Sequence, residues 1–529
     1  MPSLVGSVAL MRLITRLERA RAPIWIAILG VIPMAVAGSF AGLYPDPAAR
    51  EQLVATLAST PALTALLGPA YGSSIGALTV WRIGTIAAVL VGLLSAFMVI
   101  RHTRGDEEAS RRELLGSTVI GRHSPLTAAV AAAAGASLLL GLVASLGLVA
   151  TGQPLAGSFA FGLVLAFAGL FFAGLAAVAA QLTERESGAR AIAGTSLGLF
   201  FTLRMVANGT EASWLSWASP IGWGQRVRPF AGERWEVLVL FPVAAAALVA
   251  VAYALASARD VGAGVIAPRA GPASAGMGLG SPMALGWRLQ RRSLFGWTVG
   301  LAGAGVGLGS LRDGFTRLLD ENPELAEIFE RLGGERAIGD AYLTAVFGIL
   351  GLVASAYAIG AVSVLHVEEE SLRAEAVLAT ATTRWRWAAS HLIFAALAPA
   401  FLLAAAGITA GIVVGAAVGD IGGELPRTLG AALVQLPAVW VLAGVTMAVY
   451  GIRPRWMAAA WGALVVFLLL GQLGGVLQLS PWALDISPFT HVPKMPGAEL
   501  AVTPLVWLAA VSIGLATLGL VGLRRRDVG

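Results

Sequence analysis

The sequence predicts an all-α integral membrane protein, with twelve transmembrane helices arranged as two parallel six-helix repeats. Three observations carry that prediction. The chain has 529 residues, 57% hydrophobic and 12% charged, with a mean hydropathy of +0.79. A water-soluble domain must wet its own exterior and cannot cover so much apolar surface. Apolar runs of about 20 residues, long enough to cross a bilayer as a helix, recur throughout. Finally, RGDEEASRRELLGSTVIGR at 104–122 and HVEEESLRAEAVLATATTR at 366–384 write nearly the same charge pattern twice, 262 residues apart.

The elements follow in chain order. In LMRLITRLERAR (10–21), Leu10, Leu13, Ile14 and Leu17 fall at helical spacing, with Arg12, Arg16 and Arg19 opposite. That pattern predicts a helix lying flat at the membrane surface. Ala35-Val36-Ala37 imitates a signal-peptidase site, but a similar basic preface, WRLQRRSLFGW at 287–297, occurs mid-chain, so the start is read as retained. Spans are expected at 22–42, 76–101, 125–150, 156–181, 189–207 and 235–257, then at 294–311, 341–365, 387–416, 428–450, 456–479 and 502–523. An inside N-terminus places 24 of the 36 Lys+Arg on the cytoplasmic side, so the positive-inside rule predicts both termini cytoplasmic.

The two halves superimpose as sequences. An offset of 262 carries Pro61 and Leu63 onto Pro323 and Leu325, and Arg122 onto Arg384. An offset of 268 carries Arg185, Gly194 and Ser219-Pro220 onto Arg453, Gly462 and Ser487-Pro488, and Arg259-Asp260-Val261-Gly262 recurs at 526–529. Six spans per half make the repeat parallel, with any translocation path between the halves. The domains expected are a first repeat at 1–262, a Gly/Ala/Pro-rich connector at 263–284, and a second repeat at 285–529.

The duplicated charges would lie in the cytoplasm between the second and third spans of each half. Glu107→Arg111 and Glu369→Arg373 are i,i+4 pairs, Glu first, and Leu114-Leu115 and Val377-Leu378 supply an apolar side, so each stretch is a candidate short amphipathic helix. Such a helix needs something to dock on. A solvated loop is the plain alternative, but an inert loop need not keep residue type and spacing in both copies.

Energy sources can be eliminated in turn. The only lysine, Lys494, stands in HVPKMPG, so the chain lacks the G-x-x-x-x-G-K-[ST] phosphate loop. Apart from Glu236 at the edge of the sixth, the expected spans hold no Asp or Glu, which an ion-driven carrier would be expected to use. The five histidines lie too far apart for a helical metal pair, and there is no cysteine. The basic residues are scattered among apolar spans with no separate basic domain, which argues against nucleic acid. Asp420 and Glu424 read as surface solvation. Phe97, Met98, Phe200, Phe201 and Met205 could line a substrate route, as could Tyr342, Phe347 and Tyr357, but helix packing explains them equally.

Residues 81–122 and 367–384 resemble the permease subunits of ABC exporters of the ABC-2 class. The resemblance is closest to the double-length actinobacterial permeases of polyketide-antibiotic and multidrug exporters, the tetronasin-type family. It covers nearly the whole chain and makes it a fused pseudo-dimer of exporter domains. VEEESLRAEAVL follows the family pattern E-E-x-x-x-R-x-E-x-x-L, while Ser110 in the first copy stands where a glycine is common. The resemblance implies two coupling helices that dock a separate ATPase, two copies per chain, with ATP and Mg on that subunit and no cofactor on this one. The implied docking residues are Glu107, Glu108, Arg111, Glu113 and Arg122, with Glu369, Glu370, Arg373, Glu375 and Arg384. It further implies a multi-pass bacterial plasma-membrane protein exporting hydrophobic or amphipathic compounds. A major-facilitator-type carrier is the rival: it shares twelve spans and a charged loop between spans two and three, but not the surface helix or the sizeable outer segments.

Overall fold

The computed structural model describes residues 3–58, 61–116, 118–210, 212–266, 276, 280–309, 335–474 and 477–526. The segment 312–334, the end of the seventh expected span, most of the connector and residues 527–529 lie outside them. The chain divides into two compact units, Met1–Gly271 and Pro272–Gly529. Among the described residues every regular element is helical, and eleven helices are long and apolar enough to cross a membrane.

In the first unit, α1 (Ser7–Leu17) is separated from α2 (Arg21–Leu43) by a short break. Leu10 and Ile14 are buried against Ala128, Ala129 and Ala132, whereas Leu13 and Leu17, expected on the same stripe, are exposed. α3 (Ile75–Ile100) does not stop at the expected boundary; it continues through a π turn (Arg101–Gly105) and a last turn to Glu108. α4 (Arg111–Gly116) follows, then α5 (Ser124–Ala150), α6 (Leu155–Leu182), α7 (Glu186–Gly209) and α8 (Leu240–Ala258). α6 is the central helix and packs on α3, α5 and α8. Its alanines and glycines let backbones approach closely, which is how helices associate where lipid removes the hydrophobic incentive.

The second unit opens with α9 (Pro282–Gly309), in which the expected surface preface and the seventh span form one continuous helix. Arg288, Arg291 and Arg292 in its first half leave too short an apolar stretch to count as a span by itself. α10 (Glu335–Glu370) overruns its expected end at 365. α11 (Arg373–Leu378), α12 (Arg384–Val418), α13 (Ile421–Leu433), α14 (Leu436–Ile452), α15 (Ala458–Leu473) and α16 (Val502–Arg525) complete it. α14 and α16 touch backbone to backbone at Gly451 and Gly519, where a side chain on either would strike the other's helix.

Candidate functional site

The two duplicated stretches share one backbone break, although α3 passes through a π turn where α10 stays α-helical. Each long helix, α3 and α10, carries its charges past the apolar part, breaks at one residue, and restarts as a short helix. The break is at Ser110 (φ 53°) in the first copy and at Leu372 (φ 58°) in the second, positions equivalent under the 262-residue offset. Both are left-handed, a conformation that costs an L-residue roughly 1–2 kcal/mol and that glycine adopts freely. The breaks also undo the expected i,i+4 pairs. Arg111 swings to Asp106, 3.1 Å away, and Glu107 finds other partners.

Glu107 is a buried hub. Its Oε2 accepts from Arg104 Nη1 (2.8 Å) and Arg259 Nη1 (3.0 Å), and its Oε1 accepts from Arg259 Nη2 (2.9 Å) and contacts Arg112. Arg104 also donates Nε and Nη2 to the Ala180 carbonyl, and Arg259 donates Nε to Gln181 Oε1 at 2.8 Å. The hub therefore joins α3, α4, the end of α6 and the segment after α8. Burial, reinforced by Arg259, Arg104 and Arg122, pushes Arg112 down to about 10. Burial lowers Arg259 as well. Arg122 places Nη2 against the carbonyls of Ala256, Ser257 and Arg259 (2.9–3.0 Å), satisfying orphan acceptors at the end of α8.

The second unit repeats the plan with fewer charges. Glu369 takes a two-pronged pair from Arg526, both bonds 2.6 Å, and a third from the Tyr450 hydroxyl at 2.7 Å. Burial alone would lower Arg526, but the Glu369 hydrogen bonds win and raise it. Arg384 donates to the Arg526 carbonyl at 2.8 Å, as Arg122 does at Arg259. Arg259 and Arg526 are the repeated arginines of the R-D-V-G motif, so in both units the glutamate closing the second span of its half grips the arginine after the last one. Beside it, Glu368 accepts from Trp387 Nε1 at 2.9 Å, with His391 at 3.5 Å.

The sequence-predicted site residues thus fall into two groups. Glu107 (buried) and Glu369 (half-buried) bond the arginines after the last helix of their units, and Arg122 (exposed) and Arg384 (half-buried) bond backbone carbonyls there. Glu108, Arg111, Glu113, Glu370, Arg373 and Glu375 are exposed. Glu108 also accepts the Glu186 N–H (2.8 Å) at the start of α7, and Glu370 lies 3.5 Å from His366. The side chains of Leu114 and Leu115 lie outside the described set.

Three further groups went unanticipated. Glu18, in the break between α1 and α2, binds Arg101 (2.6 Å) and His102 (2.9 Å). Burial works to raise its carboxyl, but the His102 and Arg101 contacts prevail and hold it at about 2. Glu424 is not surface solvation: it is buried in an ion pair with Arg427 (2.7 Å), which also grips Asp340 with two bonds of 2.7 and 2.8 Å. Only Asp420 behaves as a surface group, capping α13 through Gly423 N–H. Of the aromatic candidates, Phe347, Tyr342 and Tyr357 are buried, and both tyrosine hydroxyls bond within the unit, to Leu308 O and Gln290 Oε1.

A family model described as the C-terminal domain of the multidrug efflux system permease Rv1217c matches residues 279–524. Along its length the chain is 44% identical, over 525 residues, to the multidrug efflux system permease protein Rv1217c of Mycobacterium tuberculosis (strain ATCC 25618 / H37Rv). The alignment covers 99% of this chain and 95% of that protein. The chain belongs to this permease family.

Proposed function

We propose that the chain is the membrane-spanning subunit of an ATP-driven ABC-2 exporter that moves hydrophobic or amphipathic compounds, multidrug and antibiotic efflux included, out of the cell. A separate ATPase, two copies per chain and carrying ATP and Mg, supplies the energy. The observation that carries this reading is the duplicated kinked loop, with one anchored glutamate and one left-handed residue at matching positions in both units. Two related, charge-rich protrusions suit a partner that is itself twofold. In this reading the exposed Arg111, Glu113, Arg373 and Glu375 meet the ATPase. The inward-turned Glu107 and Glu369 pass its movement to α3 and α10, because a short arm on a fixed pivot cannot move alone.

The test is purification of the chain from its native host in mild detergent. The expected companion carries G-x-x-x-x-G-K-[ST], is present at two copies per chain, and is lost when Arg111, Glu113, Arg373 and Glu375 are all reversed in charge. A chain that purifies alone in every mild detergent and transports on an imposed ion gradient would overturn the reading in favour of a secondary carrier.

A further inference from the structure

At the end of α3 opposite its charged loop, the first unit contains a cavity of about 50 Å³. It lies between α3, α6 and the segment 221–229, and Trp81, Phe161 and Val164 make its apolar wall. One arginine lines it and a second stands behind its wall. Arg228 lines it directly, with its guanidinium 4.5 Å from the Tyr71 ring centre and its Nε buried without a partner. Its backbone is held at φ 53°, left-handed and strained for a non-glycine residue. Arg204 stands behind the wall, fully buried. It donates to Thr85 Oγ1 (2.9 Å) and to the carbonyls of Ala65 and Leu66, and its Nε also lacks a partner.

Among the described residues no carboxylate lies within ion-pair distance of either arginine. Thr85 Oγ1 is already shared, receiving Gln225 Nε2 (3.2 Å) as well as Arg204. The cavity therefore meets one half-buried guanidinium, Arg228, in an apolar setting, with the fully buried cation Arg204 behind it. A buried cation without an anion is costly, and structures avoid one unless something supplies the counter-charge.

We propose that this cavity receives the oxyanion head, a carboxylate above all, of an amphipathic ligand. The volume sets the division of the ligand. A carboxylate occupies little more than a water molecule's share of about 30 Å³ and fits, whereas a whole drug-sized compound needs roughly 300–1,000 Å³. The head enters, paired with Arg228, and the apolar body stays outside it. This assignment rests on the reading of the chain as the substrate-carrying permease, and not on ATPase docking.

The test uses the purified full-length chain in phosphatidylcholine nanodiscs, without any ATPase. The probes are dansyl-undecanoic acid and its methyl ester, read by fluorescence. The acid is expected to bind about tenfold or more tightly than the ester, the worth of a charge-assisted hydrogen bond. Arg228→Gln should bring the acid down to the ester's affinity, and Arg228→Lys should restore part of the difference. Unchanged ester binding in both variants shows that the fold has survived. Competition by phosphatidylglycerol added to the nanodiscs would assign the same oxyanion chemistry to a lipid headgroup; no competition would assign it to a soluble acid. Equal binding of acid and ester to the wild type, or acid binding untouched by Arg228→Gln, overturns the proposal. Loss of ATPase co-purification with acid selectivity intact would count against coupling alone.

Discussion

Replacing Glu107 with glutamine separates anchoring from docking most sharply. The carboxylate is 2% exposed and is shared by Arg104 (0%) and Arg259 (6%), with Arg112 against it. Glutamine keeps the shape but deletes the carboxylate these arginines share and turns an amide NH2 toward a guanidinium. Removing one partner of a buried ion pair costs about 3–5 kcal/mol, because the other charge is left buried and unpaired. At about 2–4 °C per kcal/mol for a unit of this size, the melting temperature should fall by about 6–20 °C. The assay is thermal unfolding of the purified chain in a single detergent, followed by loss of the monodisperse peak. Glu113→Gln, on the exposed face of α4, should melt like the wild type while weakening ATPase co-purification. If Glu107→Gln melted like Glu113→Gln, the hub would contribute nothing and the assignment of Glu107 to anchoring would be wrong.

Three further outcomes follow from the same geometry. Glu18 is held at about 2 against an ordinary value of 4.5, so the stability it contributes is complete above about 4.5 and lost as pH falls toward 2. Melting curves across that window should therefore fall more steeply for the wild type than for Glu18→Gln; parallel curves would contradict it. Arg122→Gln should leave the last carbonyls of α8 bonded only to water, costing about 1–2 kcal/mol. Faster amide exchange confined to the end of α8 is the expected signature, with the same effect at the end of α16 for Arg384→Gln. Leu372→Gly should be tolerated or slightly stabilising because it relieves a left-handed backbone, whereas Ala374→Gly inside α11 should cost about 1 kcal/mol. Equal losses at both positions would mean that the kink at Leu372 is not the preferred backbone.

The sequence made the helices legible because lipid demands long apolar runs, and it made the duplicated loops legible because charge is scarce elsewhere. It did not show where α3 and α10 end. Hydropathy drops at Arg101 and at His366, yet both helices continue to Glu108 and Glu370 because buried ion pairs satisfy the charges. Nor did it show which glutamates face inward. Spacing alone paired Glu107 with Arg111, and one left-handed residue, Ser110, cancels that geometry. The signal that could have found the true partner was present: R-D-V-G is duplicated, like the glutamates, and two duplicated opposite charges invite pairing. Glu424 was misread for a simpler reason. Its shared partner Arg427 reaches Asp340, which lies 87 residues away from that arginine in the chain.

The grip between each loop and the segment after the last helix of its unit bears on how such permeases can be recombined. Glu107 and Arg259 stand 152 residues apart, and Glu369 and Arg526 stand 157 apart. A graft that moves only the 104–122 loop into a sister transporter leaves its latch behind and imports a carboxylate with no keeper. The smallest transplantable module is discontinuous: the loop together with the few residues that follow the last helix of its unit.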